Sequence, residues 1–155
     1  MKSILPFLLA LALSTAVAND FDHGSYQTAT LADATSNLGI DPRADYWFDA
    51  SHPKYRTRAR FTGRTRQIDP GVHDFVSRWV KAMGHPVEFV QMFRVEVEIE
   101  QAGAKYWMPL QESLVEPWEI DMSGPGDADL SLLLMGAYDH VPVFTIASFS
   151  AVRPN

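Results

Sequence analysis

The sequence predicts an α+β domain: a curved, mostly antiparallel sheet or small, partly open barrel of about 5–6 strands, with one main amphipathic helix (70–83) packed on it. Three observations carry this. Residues 54–67 alternate with a period of two. Residues 72–83 place apolar side chains at the helical spacing of three and four. The rest of the chain reads as further alternating segments separated by turn residues. A strand, a helix and then four or five strands, without βαβ alternation, put the helix on one face or end of an antiparallel sheet.

The chain opens with a positive start at Met1-Lys2-Ser3 and an apolar run from Ile4 to Leu13 broken only by Pro6. Ala16-Val17-Ala18 then supplies a small-residue cleavage pattern. The run is too short to span a bilayer, so residues 1–18 read as a secretory signal peptide cut near Ala18. The expected location is outside the cytoplasm, in a periplasm or secreted. Residues 19–53 are weakly patterned, and 54–155 form the single globular domain.

Within 19–53, Tyr26 to Leu38 reads as a weak helix, lowered by its threonines. Tyr46-Trp47-Phe48 reads as a short edge strand between Asp41-Pro42 and His52-Pro53. In the strand 54–67, Lys54, Arg56, Arg58, Arg60, Arg64 and Arg66 share one face, and Tyr55, Thr57, Ala59, Phe61 and Thr65 the other. Asp69-Pro70 is an N-cap followed by proline at the first helical position. Val72, Phe75, Val76, Trp79, Val80 and Met83 form the apolar stripe, which Gly84 and Pro86 terminate. Val87 to Gln101 reads as one long strand, turned at Gln101-Ala102-Gly103-Ala104 into a second strand, 105–110. Gln111 to Val115 reads as a helical turn, 116–122 as a short strand, and 123–127 as a turn. Residues 129–138 and 141–152 form a final hairpin.

Hydrophobic residues are 46% of the chain and charged residues 21%, a globular and not a disordered balance. Without Lys2, 12 basic residues face 19 acidic ones, a net charge near −7. An acidic surface disfavours nucleic acid or an anionic membrane as the main partner. The chain has no cysteine, which removes disulfides, a thiol nucleophile, thiolate ligands and a lipidated cysteine. Outside the leader, no apolar run reaches the roughly 20 residues of a spanning helix.

No metal, nucleophile or cofactor motif stands out. The five histidines, at 23, 52, 73, 85 and 140, never recur at helical ligand spacing. Asp20, Asp22 and His23 cluster near the expected new N-terminus, where fraying is the simpler reading. Ser51-His52-Pro53-Lys54 matches Ser-x-x-Lys but lacks its companion motifs and a helix start. The basic strand has two readings. Arg56, Arg58 and Arg60 can bind an anionic ligand through bidentate geometry. Alternatively the row pairs with Glu96, Glu98 and Glu100 as a cross-strand ladder. Tyr46, Trp47 and Trp107 are the further candidate ligand-binding residues, as rings that stack on sugars or enter an interface. If Tyr106, Met108 and Leu110 face the core, Trp107 faces outward.

The sequence therefore points to an exported, non-catalytic binding or accessory domain, with no cofactor, that meets an envelope polymer or envelope protein. The alternative is a small envelope hydrolase using an Asp/Glu pair among Glu112, Glu116, Glu119, Asp121, Asp127 and Asp129. A third reading, a subunit whose partner completes the sheet, requires an uncovered edge strand.

Overall fold

The computed structural model describes residues 25–36, 38–41 and 43–153. The expected signal peptide, its cleavage site and the Asp20, Asp22, His23 cluster lie outside these residues. Among the described residues seven strands and three α-helices follow one another: β1 (Gln27–Thr28), α1 (Leu31–Thr35), β2 (Tyr46–Phe48), β3 (Lys54–Gln67), α2 (Pro70–Ala82), β4 (Phe93–Gln101), β5 (Ala104–Gln111), α3 (Glu112–Asp121), β6 (Gly126–Tyr138) and β7 (Val141–Ala151). A 3₁₀ turn spans Val87–Met92.

The strand order β3-β4-β5-β7-β6 returns to β3, because β3 pairs with β4 at its far end and with β6 at its near end. The result is a closed five-stranded barrel of mixed sense, with β1 and β2 added outside it. Length makes this possible: β3 has 14 residues and so reaches both neighbours. A register shift of two residues between Phe61 and Thr65 bends it around the barrel. The two-residue turns at Ala102-Gly103 and Asp139-His140 have φ of 52° and 82°, and 47° and 65°. Positive φ at both centres gives the primed hairpin turn that matches strand twist.

Alternation sorts the side chains as expected. Ala59, Phe61, Val97, Ile99, Met108, Leu110, Leu130, Leu132, Leu134, Phe144 and Ile146 fill the barrel. Leu31 of α1 and Trp118 of α3 join this core from outside the sheet. Trp118 packs on Phe61 and Phe149 with ring centroids 5.2 and 4.7 Å apart. A second core lies between α2 and the outer barrel wall. There Phe75, Val76, Trp79 and Val80 meet Phe93, Leu133, Met135 and Val143. Fully burying each such side chain contributes about 1.5–3 kcal/mol. Strand β6 is thus apolar on both faces from Leu132 to Met135, because the barrel covers one side and α2 the other.

Asp69 caps α2, its Oδ1 accepting from the N–H groups of Gly71 and Val72 at 2.9 and 3.3 Å. The edge strand expected at 46–48 is present, paired with β6. Three expectations are corrected. The weak helix over 26–38 is a two-residue strand followed by a single helical turn, which begins where the Thr30 side chain accepts from the Asp33 N–H. The long strand 87–101 begins only at Phe93, since Pro86 starts a 3₁₀ turn that buries Val90 and leaves Val87 exposed. The short strand expected at 116–122 is the second half of α3, which continues through Pro117 because Trp118 and Met122 anchor it on the barrel core. Among the described residues, no helix is long and apolar enough to cross a membrane.

Candidate functional site

The basic row of β3 meets two different acidic partners. Its far half faces β4: Arg66 Nε lies 2.8 Å from Glu96 Oε2, and Arg64 Nη1 lies 3.0 Å from Glu98 Oε2. Its near half faces β6: Arg58 grips Asp129 bidentately at 2.8 and 2.9 Å, and Arg60 lies 3.7 Å from Asp127. The guanidinium of Arg58 holds the Asp129 carboxyl below its ordinary range, chiefly through these hydrogen bonds. The ladder is real, but Arg58 and Arg60 take aspartates of β6 and not the glutamates of β4. Arg66 and Arg60 stand opposite glutamates of β4 in register, Glu96 and Glu100, but Arg60 turns to Asp127.

One row departs from this pattern. Arg56 is registered against Ser131 of β6, and Ser131 against Ser148 of β7. In the next row Arg58 stands against Asp129, and Asp129 against Ser150. Directly opposed residues share a sheet face, so these six side chains form a two-by-three grid on the outer wall. The ladder stops one row short: serine occupies the place where a third aspartate would neutralise Arg56. Among the described residues Arg56 has no carboxylate partner, and its guanidinium instead lies over the Tyr26 ring, 5.1 Å from the centroid. A groove of about 660 Å³ runs over the grid, walled by Thr28 of β1 and by Phe149. Its donors are one uncommitted guanidinium and the hydroxyls of Ser131, Ser148 and Ser150. That set suits a ligand bearing a single negative group on a hydroxyl-rich body.

The other candidate residues lie elsewhere. Tyr46 donates its hydroxyl to Asp74 at 2.8 Å, lies 5.6 Å from the Tyr138 ring, and carries Arg78 over its face at 4.6 Å. This cluster docks β2 against α2, and the hydrogen bond to Asp74 raises the Tyr46 phenol above its ordinary value. Trp47 is half-buried in the same strand, its carbonyl pressed against Gly136. Met108 and Leu110 do face the core, and Trp107 lies on the outer wall with Arg66 and Arg64 over its ring at 4.1 and 5.3 Å.

The six carboxylates of the hydrolase reading are dispersed. Glu112 lies 3.9 Å from Arg94, Asp127 and Asp129 are held by Arg60 and Arg58, and Glu116, Glu119 and Asp121 are exposed. Asp121 and Asp127 share a shallow depression beside the 123–126 turn with Arg153. Among the described residues no three His, Asp or Glu side chains gather as a metal site. The sequence signal for the groove is Ser131, which continues the parity of Asp127 and Asp129, together with Ser148 and Ser150, and it acquires meaning only once the register is known. Compared with protein-family models, curated proteins and solved structures, the chain matches none.

Proposed function

We propose that this chain is an exported, non-catalytic binding domain whose outer β3-β6-β7 wall takes a singly charged acidic saccharide unit of an envelope polymer. The observation that supports this reading is Arg56: a guanidinium without a carboxylate among the described residues, in register with Ser131 and Ser148, over a groove of about 660 Å³. Local charge supports a monoanion over a polyanion. Arg58 and Asp129 cancel, which leaves one positive charge in the groove. The protein as a whole carries −6, so a polyanion would be repelled beyond the contact region. Export rests on the N-terminal leader pattern.

Isothermal titration with methyl β-glucuronide and methyl β-glucoside tests this. The glucuronide should bind and the glucoside should not. Arg56→Ala should abolish the glucuronide heat while leaving thermal stability nearly unchanged. Equal affinity in Arg56→Ala and wild type, or no heat with the uronide, would show that the row is only a surface feature.

A further inference from the structure

The groove over the β3-β6-β7 wall holds a second charged group with binding capacity to spare. Among the described residues that line it, one is a carboxylate, Asp129. Arg58 holds it bidentately, Nε on Oδ1 at 2.8 Å and Nη2 on Oδ2 at 2.9 Å. An ionised carboxylate has about four lone-pair sites, so one guanidinium fork uses about two and leaves one on each oxygen. Solvent reaches this group, since the Asp129 side chain is 53% exposed. The same hydrogen bonds hold its carboxyl below the ordinary range, so at neutral pH it accepts and does not donate.

Register fixes where this acceptor stands. Arg56, Ser131 and Ser148 occupy one row, and Arg58, Asp129 and Ser150 the next. Asp129 is therefore diagonal to Arg56 on the adjacent strand, a separation of about 7–8 Å at the backbone. A ligand that touches both must carry its two recognised groups on opposite sides. Asp127, one row further along β6, lies 3.7 Å from Arg60 and lines the separate depression beside the 123–126 turn.

We infer that Asp129, fixed by Arg58, is the specificity-determining residue of the groove: its two oxygens accept from a pair of vicinal hydroxyls on the saccharide whose carboxylate meets Arg56. This rests on the acidic-saccharide reading and narrows it to a monocarboxylate ring with a free diol on the side away from the acid. In a hexuronate the hydroxyls of C2 and C3 lie there, across the ring from the carboxylate on C5. A second anionic group at that end would face the Asp129 carboxylate, and like charges at contact distance repel. An ammonium group is disfavoured too, because the lining carries two guanidiniums against one carboxylate. A neutral diol instead gains two charge-assisted hydrogen bonds, each about twice as strong as a bond between neutral groups. Ser150, directly opposite Asp129, adds a hydroxyl that donates or accepts at the same place.

Titration calorimetry with methyl β-glucuronide and cyclohexanecarboxylate tests this, since the second ligand keeps the acid on a saturated ring and has no hydroxyl. The wild-type protein should bind the glucuronide at least tenfold more tightly. Asp129→Ala should cut that preference at least fivefold, and its freed Arg58 should strengthen cyclohexanecarboxylate binding. The ion pair is exposed, so the variant should melt close to wild type. Combining Arg58→Ala with Asp129→Ala removes the freed cation: the preference should stay low while the gain for cyclohexanecarboxylate disappears. A role in folding alone would weaken both ligands alike and leave their ratio unchanged, and that result would overturn the inference. Equal affinity of the wild type for the two ligands would do the same. Either result leaves the acidic-saccharide reading standing as long as Arg56→Ala abolishes glucuronide binding. No heat with the glucuronide in the wild type removes that reading and the role of Asp129 with it.

Discussion

Two arginines of the same strand make ion pairs of the same length in very different surroundings, and they should differ sharply when removed. Arg58 meets Asp129 at 2.8 Å with side chains 63% and 53% exposed. Arg66 meets Glu96 at 2.8 Å with side chains 40% and 0% exposed. Water and salt replace much of an exposed pair, so Arg58→Ala should change stability little. Arg66→Ala strands a carboxylate that solvent does not reach, keeping only the Asp69 N–H on Oε2. Breaking a buried pair on one side costs about 3–5 kcal/mol. The partial exposure of Arg66 lets water enter its place, so the loss should fall near the low end, about 3 kcal/mol. For a chain of this size each kcal/mol shifts Tm by about 3 °C, which gives a drop of about 10 °C. Urea denaturation at neutral pH, with thermal melts as a check, measures both variants. Equal losses would refute the argument that burial and not geometry sets the value of these pairs. Arg66→Ala in a Glu96→Leu background should then cost much less than it does alone, because no charge is left to strand.

Three further outcomes are expected. Gly136 has φ of 149°, and a Cβ there would overlap the Trp47 carbonyl oxygen; Gly136→Ala should therefore detach β2 and lower stability severely, by about 3 kcal/mol or more, read by urea denaturation. Trp118 is 2% exposed between Phe61 and Phe149, so Trp118→Ala should cost about 3–5 kcal/mol in the same assay. Burial holds the His52 imidazole below its ordinary 6.5, with His85 and Lys54 acting in the same direction and Asp49 against them. The unfolded chain then takes up a proton before the folded one. Stability should be flat above about pH 7, fall as pH drops through about 6.5, and level off below the folded value. His52→Asn, which tolerates the φ of 49°, should remove that slope in melts recorded from pH 8 to 5, and a slope unchanged in the variant would assign it to another group.

The elements legible in the sequence are those whose period is enforced by a single buried face. Helix α2 shows its stripe because one side of it meets the barrel wall, and β3 alternates because its odd positions enter the core. The misread segments carry apolar residues for other reasons. Val87 and Phe89 continue the parity of Phe93, yet Val87 is exposed and the backbone there is a 3₁₀ turn. Pro117 reads as a helix breaker, but the burial of Trp118 and Met122 outweighs its local cost. The acidic row of β4 reads as one side of a cross-strand ladder, and what that reading leaves out is burial: Glu96 and Glu98 lie beneath Arg66, Arg64 and Lys105. Parity told which side of a strand these charges occupy. It did not tell that Asp129, 71 residues away, is the partner of Arg58, because barrel closure between β3 and β6 is not a local property.

That closure resolves an apparent conflict in the charges. A chain with a formal charge of −6 carries its most basic segment on a strand, and a cationic face on an acidic protein would ordinarily be averaged away at a distance. The register shows that averaging taking place residue by residue. Arg58, Arg60, Arg64 and Arg66 each have an acidic partner, and Arg56 has a serine. On the acidic side, Glu98 is saturated with donors, and among the described residues Glu96 keeps one buried oxygen without any. Among the described residues, Arg56 is the arginine of β3 left without a carboxylate, and Lys54 lies beside it over the same Tyr26 ring, at 5.7 Å. Arg56 acts over contact distance, well inside a Debye length of about 8 Å, so the net charge of the protein does not oppose a ligand there. Binding of a charged ligand at Arg56 should weaken as salt rises, and titrations at about 50 and 300 mM salt measure that; an affinity unchanged between the two would mean that the groove does not read the charge.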